Sequence, residues 1–159
     1  MALSKILIAN RGEIAVRIIR AARELGVRTV QVYSTADANS LAVEMADESI
    51  EIGPPPAKKS YLNVEAVLNA AKETGCDSIH PGYGFLAENA EFADAVAVAG
   101  MAFVGPSGDV IRRMGDKASA RQAAKQAGVP TVPGSDGLID DLAKAEKLAD
   151  EIGYPLVVR

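Results

Sequence analysis

The stretch Lys5-Ile-Leu-Ile-Ala-Asn-Arg-Gly-Glu-Ile-Ala-Val-Arg17 constrains this chain more than any other. An apolar run ends in a polar, glycine-containing turn and passes directly into an amphipathic helix. Residues 6–9 read as a strand buried on both faces, because a strand with one wet face would alternate polar and apolar residues. Gly12 supplies the freedom for the tight turn that aims the helix back across the sheet. Such a crossover is right-handed and leaves the helix N-terminus at the carboxyl edge of the sheet, where α/β folds place their sites.

Strand and helix then alternate with regular punctuation, the pattern of repeated βαβ units. Ile14, Ile18, Ala22 and Leu25 share one face of the first helix, and Gly26 supplies its stop. Residues 29–34 form a second strand, a short helix lies at 40–46, and 49–52 make a third strand. Gly53-Pro-Pro-Pro56 forbids either regular structure. Asn63 caps a helix over 64–73 whose stripe is Val64, Val67, Leu68 and Ala71, ended by Gly75. A strand at 77–80, a helix at 89–99, a strand at 101–104 and a helix capped by Ser107 follow. Residues 117–126 and 140–152 are further helices. Between them Gly128-Val-Pro-Thr-Val-Pro-Gly134 reads as an extended crossing segment. The expectation is a Rossmann-like parallel sheet flanked by helices in residues 1–134. A second domain begins at 135–159, where a strand after Gly153-Tyr-Pro has no partner in the sequence and suggests the front part of a longer protein.

Composition removes several classes of function. With 159 residues the chain is about one domain in size. A net charge of −4 argues against a nucleic-acid footprint, which needs a clustered positive face. One cysteine, Cys76, and one histidine, His80, are too few soft ligands for a zinc cluster and allow no internal disulfide, which fits a reducing cytoplasm or a comparable compartment. No segment approaches a signal peptide or a membrane span in length.

Two turns can carry chemistry. Asn10-Arg-Gly-Glu-Ile-Ala15 is a degraded dinucleotide fingerprint, with Asn for the first glycine and Ala for the third, and no acidic residue ends the second strand to hold a ribose. Arg11 and Glu13 add bulk and charge where a pyrophosphate needs close backbone approach, so a structural turn is favoured over NAD or FAD. The second is His80-Pro-Gly-Tyr-Gly-Phe85 at the carboxyl end of a strand. By spacing alone it is a ligand loop or a glycine turn in which His80 caps the strand and Phe85 joins the core.

Taken in order, Ile8-Ala-Asn-Arg-Gly-Glu-Ile-Ala15, Ala46-Asp-Glu48, Ser60-Tyr-Leu-Asn63, Ile79-His-Pro-Gly-Tyr-Gly-Phe-Leu-Ala-Glu-Asn89, Phe103-Val-Gly-Pro106, Met114-Gly-Asp-Lys117 and Val129-Pro-Thr-Val-Pro-Gly134 resemble the N-terminal domain of biotin carboxylases. The resemblance covers almost the whole chain and implies a Rossmann-like domain followed by an ATP-grasp fold. It further implies an ATP-dependent ligase that activates bicarbonate with ATP and magnesium and carboxylates biotin on a carrier domain. Its partners would be the remainder of the carboxylase chain, the biotin carboxyl carrier, a carboxyltransferase and a second copy of itself.

Residue by residue, the resemblance makes Lys117 a nucleotide ligand and Arg159 a second one. At Arg159 the family has lysine, and arginine there is more like carbamoyl-phosphate synthetase; the planar guanidinium is no direct substitute for an ammonium. Tyr83, with His80 and Glu88, would lie beside the biotin or bicarbonate pocket. Arg17, Arg20 and Glu24 match positions that face a second protomer, although by charge pattern alone they form an ordinary wet face. The glycine-rich lid and magnesium carboxylates would lie beyond Arg159, so the isolated chain is expected to be inert. Two alternatives stand beside this reading: a non-catalytic interaction domain, and the front of a related carboxyphosphate-forming ligase such as carbamoyl-phosphate synthetase.

Overall fold

The computed structural model describes residues 3–135 and 139–156, with the backbone alone for Lys117 and Ala118. Chain contacts divide it into two compact units, residues 1–111 and 112–159, and each is taken by itself.

The first unit is built on β1 (Lys5–Ile8), β2 (Arg28–Ser34), β3 (Glu48–Gly53), β4 (Ser78–His80) and β5 (Ala102–Phe103). They form one sheet in the order β3-β2-β1-β4-β5, and every pairing is parallel. β1 is therefore central, which explains why Ile6, Leu7, Ile8 and Ala9 are all buried. Leu7 pairs in register with Val30 on one side and Ile79 on the other.

Helices cover both faces. Against one, α3 (Val64–Glu73) and α4 (Ala90–Val98) set Val67, Ala71, Phe92 and Val96 on Leu7, Val30, Val32 and Ile79. Phe92 meets Phe103 edge to face at 5.8 Å. Against the other, α1 (Gly12–Glu24) and α2 (Leu41–Met45) pack Ala15, Ile19 and Ala42 with Ile8. Each large side chain so enclosed contributes roughly 1.5–3 kcal/mol. The helix starts follow the sequence signals: the Asn63 side chain accepts from the Ala66 amide at 3.1 Å and Asn89 from Phe92 at 2.9 Å. At α5 (Gly108–Gly115) the Ser107 hydroxyl accepts from Val110 at a long 3.4 Å. The amino edge of the sheet is tied by Lys5 and Arg28, which hold the two oxygens of Glu48 at 2.8 and 2.6 Å.

The buried face of α1 differs from the expected one. Ala15, Ile19 and Ala22 are enclosed, Ile14 and Ile18 are half-buried, and Leu25 is 78% exposed. Leu25 ends the helix as its C-cap, so the stripe stops before reaching it. On α3, likewise, Ala70 joins Val67 and Ala71 in the core while Val64 and Leu68 stay half-buried. Alanines let a helix approach the sheet closely; the stripes read from the sequence correctly included Ala22 and Ala71 but passed over Ala15 and Ala70.

The second unit holds α6 (Lys117–Gln126) and α7 (Leu142–Ile152). Asp116 caps α6 by accepting from the Ser119 amide at 2.7 Å, and Asp141 caps α7 through Ala143 at 3.0 Å. The guanidinium of Arg121 donates to the carbonyls of Val132 and Gly134 at 2.8 and 3.0 Å, which ties α6 to the segment expected to be extended. Among the described residues of α7 none is buried. The strand expected at the end of the chain falls largely on residues 157–159, outside the described residues.

Candidate functional site

From β1 the chain steps outward through β2 and β3, then returns to β4 on the other flank of β1. This reversal opens a crevice outside the carboxyl ends of β1 and β4, the place where open α/β sheets bind ligands. Two connections meet there: the turn from β1 into α1, and the loop after β4 that carries His80-Pro-Gly-Tyr-Gly-Phe85.

Asn10 joins them. It is fully buried, and its side-chain amide donates to the carbonyls of Pro81 and Tyr83 at 2.7 and 2.9 Å while its Oδ1 accepts from the Arg11 amide at 2.9 Å. Both amide hydrogens are used, as a buried amide requires. Gly82 passes so close that a Cβ there would lie 2.7 Å from Asn10 Nδ2 and 2.7 Å from Ile14 Cγ2, at a φ of +66°. Only glycine fits. Asn10 thus takes the place of the fingerprint's first glycine and holds the second loop instead of admitting a phosphate. The Asn10 carbonyl accepts from Gln31 Nε2 at 2.6 Å, while Gln31 Oε1 is buried without a protein partner.

Of the residues expected on the substrate side, His80 and Tyr83 come to this crevice. Nδ1 of His80 accepts from the Gly82 amide at 3.0 Å, and burial lowers its pKa from the usual 6.5. The ring is therefore neutral at neutral pH, as an accepting Nδ1 demands. Tyr83 is 63% exposed, and its hydroxyl donates to Glu13 Oε1 on the first turn of α1 at 2.5 Å. That hydrogen bond to a carboxylate, with burial behind it, raises the phenol's pKa. Glu88 is exposed on the same loop.

Beside them is a cluster that sequence reasoning missed. The Tyr61 and Phe85 rings stack at 5.2 Å, and the Arg11 guanidinium sits over both, 5.4 and 5.6 Å from their centroids. Phe85 is half-buried at a φ of +41° and forms this stack at the rim of the core. Arg11 Nη1 also reaches Asp37 Oδ2 at 3.5 Å, and that same oxygen accepts from Tyr61 and Ser34 hydroxyls, both at 2.7 Å. Burial raises the Asp37 pKa, but the Ser34 and Tyr61 hydrogen bonds and Arg11 outweigh it, and the group ends below its usual 3.8. Tyr61 is pushed up to about 12 by burial and by donating to Asp37. An acidic group therefore does stand three residues past β2, but its partners occupy it and leave it unlike a ribose ligand. The spacing Ser34-Thr-Ala-Asp37 was the available signal for this turn.

Arg17, Arg20 and Glu24 are all exposed on α1, on the face that begins with Glu13. Lys117 is the first residue of α6, directly after its cap Asp116. Arg159 lies outside the described residues. Among the described residues no group of three or more His, Cys, Asp or Glu could hold a metal ion, and no helix is long and apolar enough to cross a membrane. Cys76 is buried, and burial pushes its thiol pKa up. The crevice can thus bind and orient through a neutral imidazole and a phenol, and the Arg11 guanidinium beside it is engaged with the Tyr61 and Phe85 rings and with Asp37.

Comparison with known proteins agrees with this geometry. The family described as "Biotin carboxylase, N-terminal domain" matches residues 2–111, and "Carbamoyl-phosphate synthase L chain, ATP binding domain" matches residues 116–159. The chain is 58% identical over 158 residues to a biotin carboxylase of Haemophilus influenzae, and 59% over 157 residues to biotin carboxylase 1 of Bacillus subtilis. Each alignment covers 99% of this chain and 35% of the relative, so the chain spans about a third of the relatives' length. Among solved structures it resembles the biotin carboxylase domain dimer of Hydrogenobacter thermophilus 2-oxoglutarate carboxylase, in complex with MgADP, ADP and bicarbonate. There the TM-score is 0.88 at 50% identity, over 98% of this chain and 34% of that one. The first of the two matched families spans the whole parallel sheet and the crevice with both its loops, and the chain belongs to it: the biotin carboxylase N-terminal domain family.

Proposed function

We propose that this chain is the front part of a biotin carboxylase, an ATP-dependent ligase that uses ATP and bicarbonate to carboxylate biotin on a carrier domain in the cytoplasm. The observation that carries this reading is the 58% identity to such an enzyme over 99% of the chain. In it, residues 1–134 form the Rossmann-like domain and 135–159 open the ATP-grasp domain. Lys117 and Arg159 serve the nucleotide phosphates, where a compact ammonium acts as a point charge. His80, Tyr83 and Glu88 stand on the side of biotin and bicarbonate: neutral His80 fixes the loop backbone, and Tyr83 presents a protonated phenol. Arg17, Arg20 and Glu24 face a second copy. The further partners are the rest of the carboxylase chain, the biotin carrier and a carboxyltransferase. Magnesium, when bound, would neutralise phosphate charge; the described residues offer no carboxylate set that fits it.

The test is bicarbonate-dependent ATP cleavage with free biotin, measured on the whole carboxylase that contains this chain and on the 159 residues alone. The whole protein turns over and the short chain does not. Lys117→Ala weakens ATP binding by roughly ten- to a hundredfold, the worth of one charge-assisted contact, whereas Tyr83→Ala raises KM for biotin and leaves ATP affinity alone. A whole protein that forms carbamoyl phosphate, or binds no nucleotide, overturns the reading in favour of one of the alternatives. The match of residues 116–159 to a carbamoyl-phosphate synthase domain, together with Arg159 in place of the family's lysine, is what favours the carbamoyl-phosphate synthetase alternative.

A further inference from the structure

The turn Asn10-Arg-Gly-Glu13 sends all three of its non-glycine side chains to the loop after β4 or to the rings beneath it. Asn10 holds the Pro81 and Tyr83 carbonyls, Arg11 lies over Phe85 and Tyr61, and Glu13 accepts the Tyr83 hydroxyl. Two of these contacts fix backbone or the ring beneath. The third fixes a side-chain tip: Tyr83 is the exposed aromatic of the loop, and the Glu13 carboxylate holds its phenol in one of the staggered rotamers open to an exposed ring. Glu13 stands on α1, a helix anchored to the sheet by buried Ala15 and Ile19, so its backbone is held in place and the carboxylate is presented from a fixed point.

We propose that Glu13 is a positioning residue for Tyr83, holding the phenol at one place over the crevice so that the loop meets its ligand pre-formed. Part of this rests on the biotin carboxylase reading, namely that the ligand is biotin; the hold on the ring does not. Pre-organisation matters because ordering an exposed side chain on binding subtracts from affinity. Glu13 also begins the exposed face that continues through Arg17, Arg20 and Glu24, so Tyr83 is tied to the helix face proposed to meet a second copy. Removing the carboxylate frees the ring and leaves the sheet, Asn10 and Gly82 as they were.

Two measurements separate this proposal from the function on which it leans. In the 159-residue chain, NMR of the Tyr83 ring reports the hold directly. The wild type shows one rotamer and a phenol that ionises above the usual range; Glu13→Ala shows averaged rotamers and ionisation shifted back toward the usual value; Glu13→Gln, which keeps an acceptor oxygen, stays ordered. In the whole carboxylase, Glu13→Ala raises KM for free biotin by roughly two- to fivefold, the range for one solvent-exposed charged contact. In that variant kcat moves less than KM, and Glu13→Gln recovers most of the loss. A Tyr83 ring equally ordered in Glu13→Ala and wild type overturns the positioning role, whatever the enzyme does. A whole protein without biotin carboxylation, but with the ring released in Glu13→Ala, overturns the functional reading and leaves the positioning of Tyr83 standing. Unchanged biotin KM in an active Glu13→Ala enzyme overturns the link between the two.

Discussion

Residues 1–111 and 112–159 are built from similar local signals and differ in what they enclose. Both have capped helices with amphipathic spacing, and Asp116 and Asp141 cap as well as Asn63 and Asn89 do. The first unit gathers Leu7, Ile8, Ile19, Val30, Ile79 and Phe92 at 0% exposure, while in the second Leu142 is 74% exposed, Val132 83% and Tyr154 72%. Helix formation thus depends on local sequence in both units, but a core needs elements that bring apolar faces together, and in the first unit the parallel sheet does so. The proposed ligand-orienting machinery sits in the unit that has one.

The largest effect that would break this contrast is in the core. Leu7→Ala, on the central strand, should cost roughly 3–5 kcal/mol of unfolding free energy, because the side chain is fully buried in the main core and its loss leaves a cavity there. Leu142→Ala, on exposed α7, should stay within about 0.5 kcal/mol. Denaturant titration of the two variants decides the matter. Equal losses would mean that α7 is enclosed as firmly as β1.

The next concerns the joint between the two crevice loops. Gly82 and Gly26 share a left-handed backbone, with φ of +66° and +69°, yet a Cβ at Gly26 would meet nothing within 4 Å while one at Gly82 would strike Asn10 and Ile14. Gly26→Ala should therefore cost about 1 kcal/mol, the strain of the conformation alone. Gly82→Ala should cost roughly 2–4 kcal/mol, since the clash with Asn10 is added and its paired amide is displaced. Unfolding curves for the pair isolate the loop contact from the backbone term. If the two variants lose the same stability, Asn10 does not grip this loop as described.

How much of this was legible in the sequence follows from the range of each interaction. The strands and helix ends were readable because hydrophobic runs, Asn caps and glycine stops act within a few residues. The face of α1 was read only in part: Ala22 was placed on it, but Ala15 and Ile19 were not, and Ala15 is buried because it lets the helix approach the sheet, which no local property of alanine announces. In the crevice, His80 and Tyr83 stood out as a glycine-flanked loop at a strand end. Asn10, Asp37 and Tyr61 did not, because their partners are 71, 24 and 27 residues away. Arg11 and Glu13 were weighed as obstacles to a phosphate, and the structure turns both toward the neighbouring loop and its rings. The fold's topology converts a degraded nucleotide fingerprint into a contact between two turns.

The smallest expected effect is a dependence on pH confined to the crevice. His80 has a folded-state pKa below its usual 6.5 because burial penalises the imidazolium. The unfolded chain therefore binds the proton more readily, and stability rises with pH across the interval between the folded value and 6.5. The contribution is complete above 6.5 and is lost as pH falls through that interval, where protonation also removes the Nδ1 acceptor for the Gly82 amide. Asp37 and Asp47 act lower: burial opposes ionisation at Asp37 but its hydrogen bonds prevail, and Thr29 holds Asp47 ionised, so both pKa values lie below 3.8. Their stabilisation is complete above 3.8 and fades only as pH falls beneath it, which separates the two windows. Unfolding free energies measured from pH 8 down to pH 5 should decline modestly in the wild type and stay flat in His80→Gln, which cannot titrate. A parallel decline in both proteins would place the sensitive group elsewhere and leave the His80 to Gly82 hydrogen bond without a role in holding the loop.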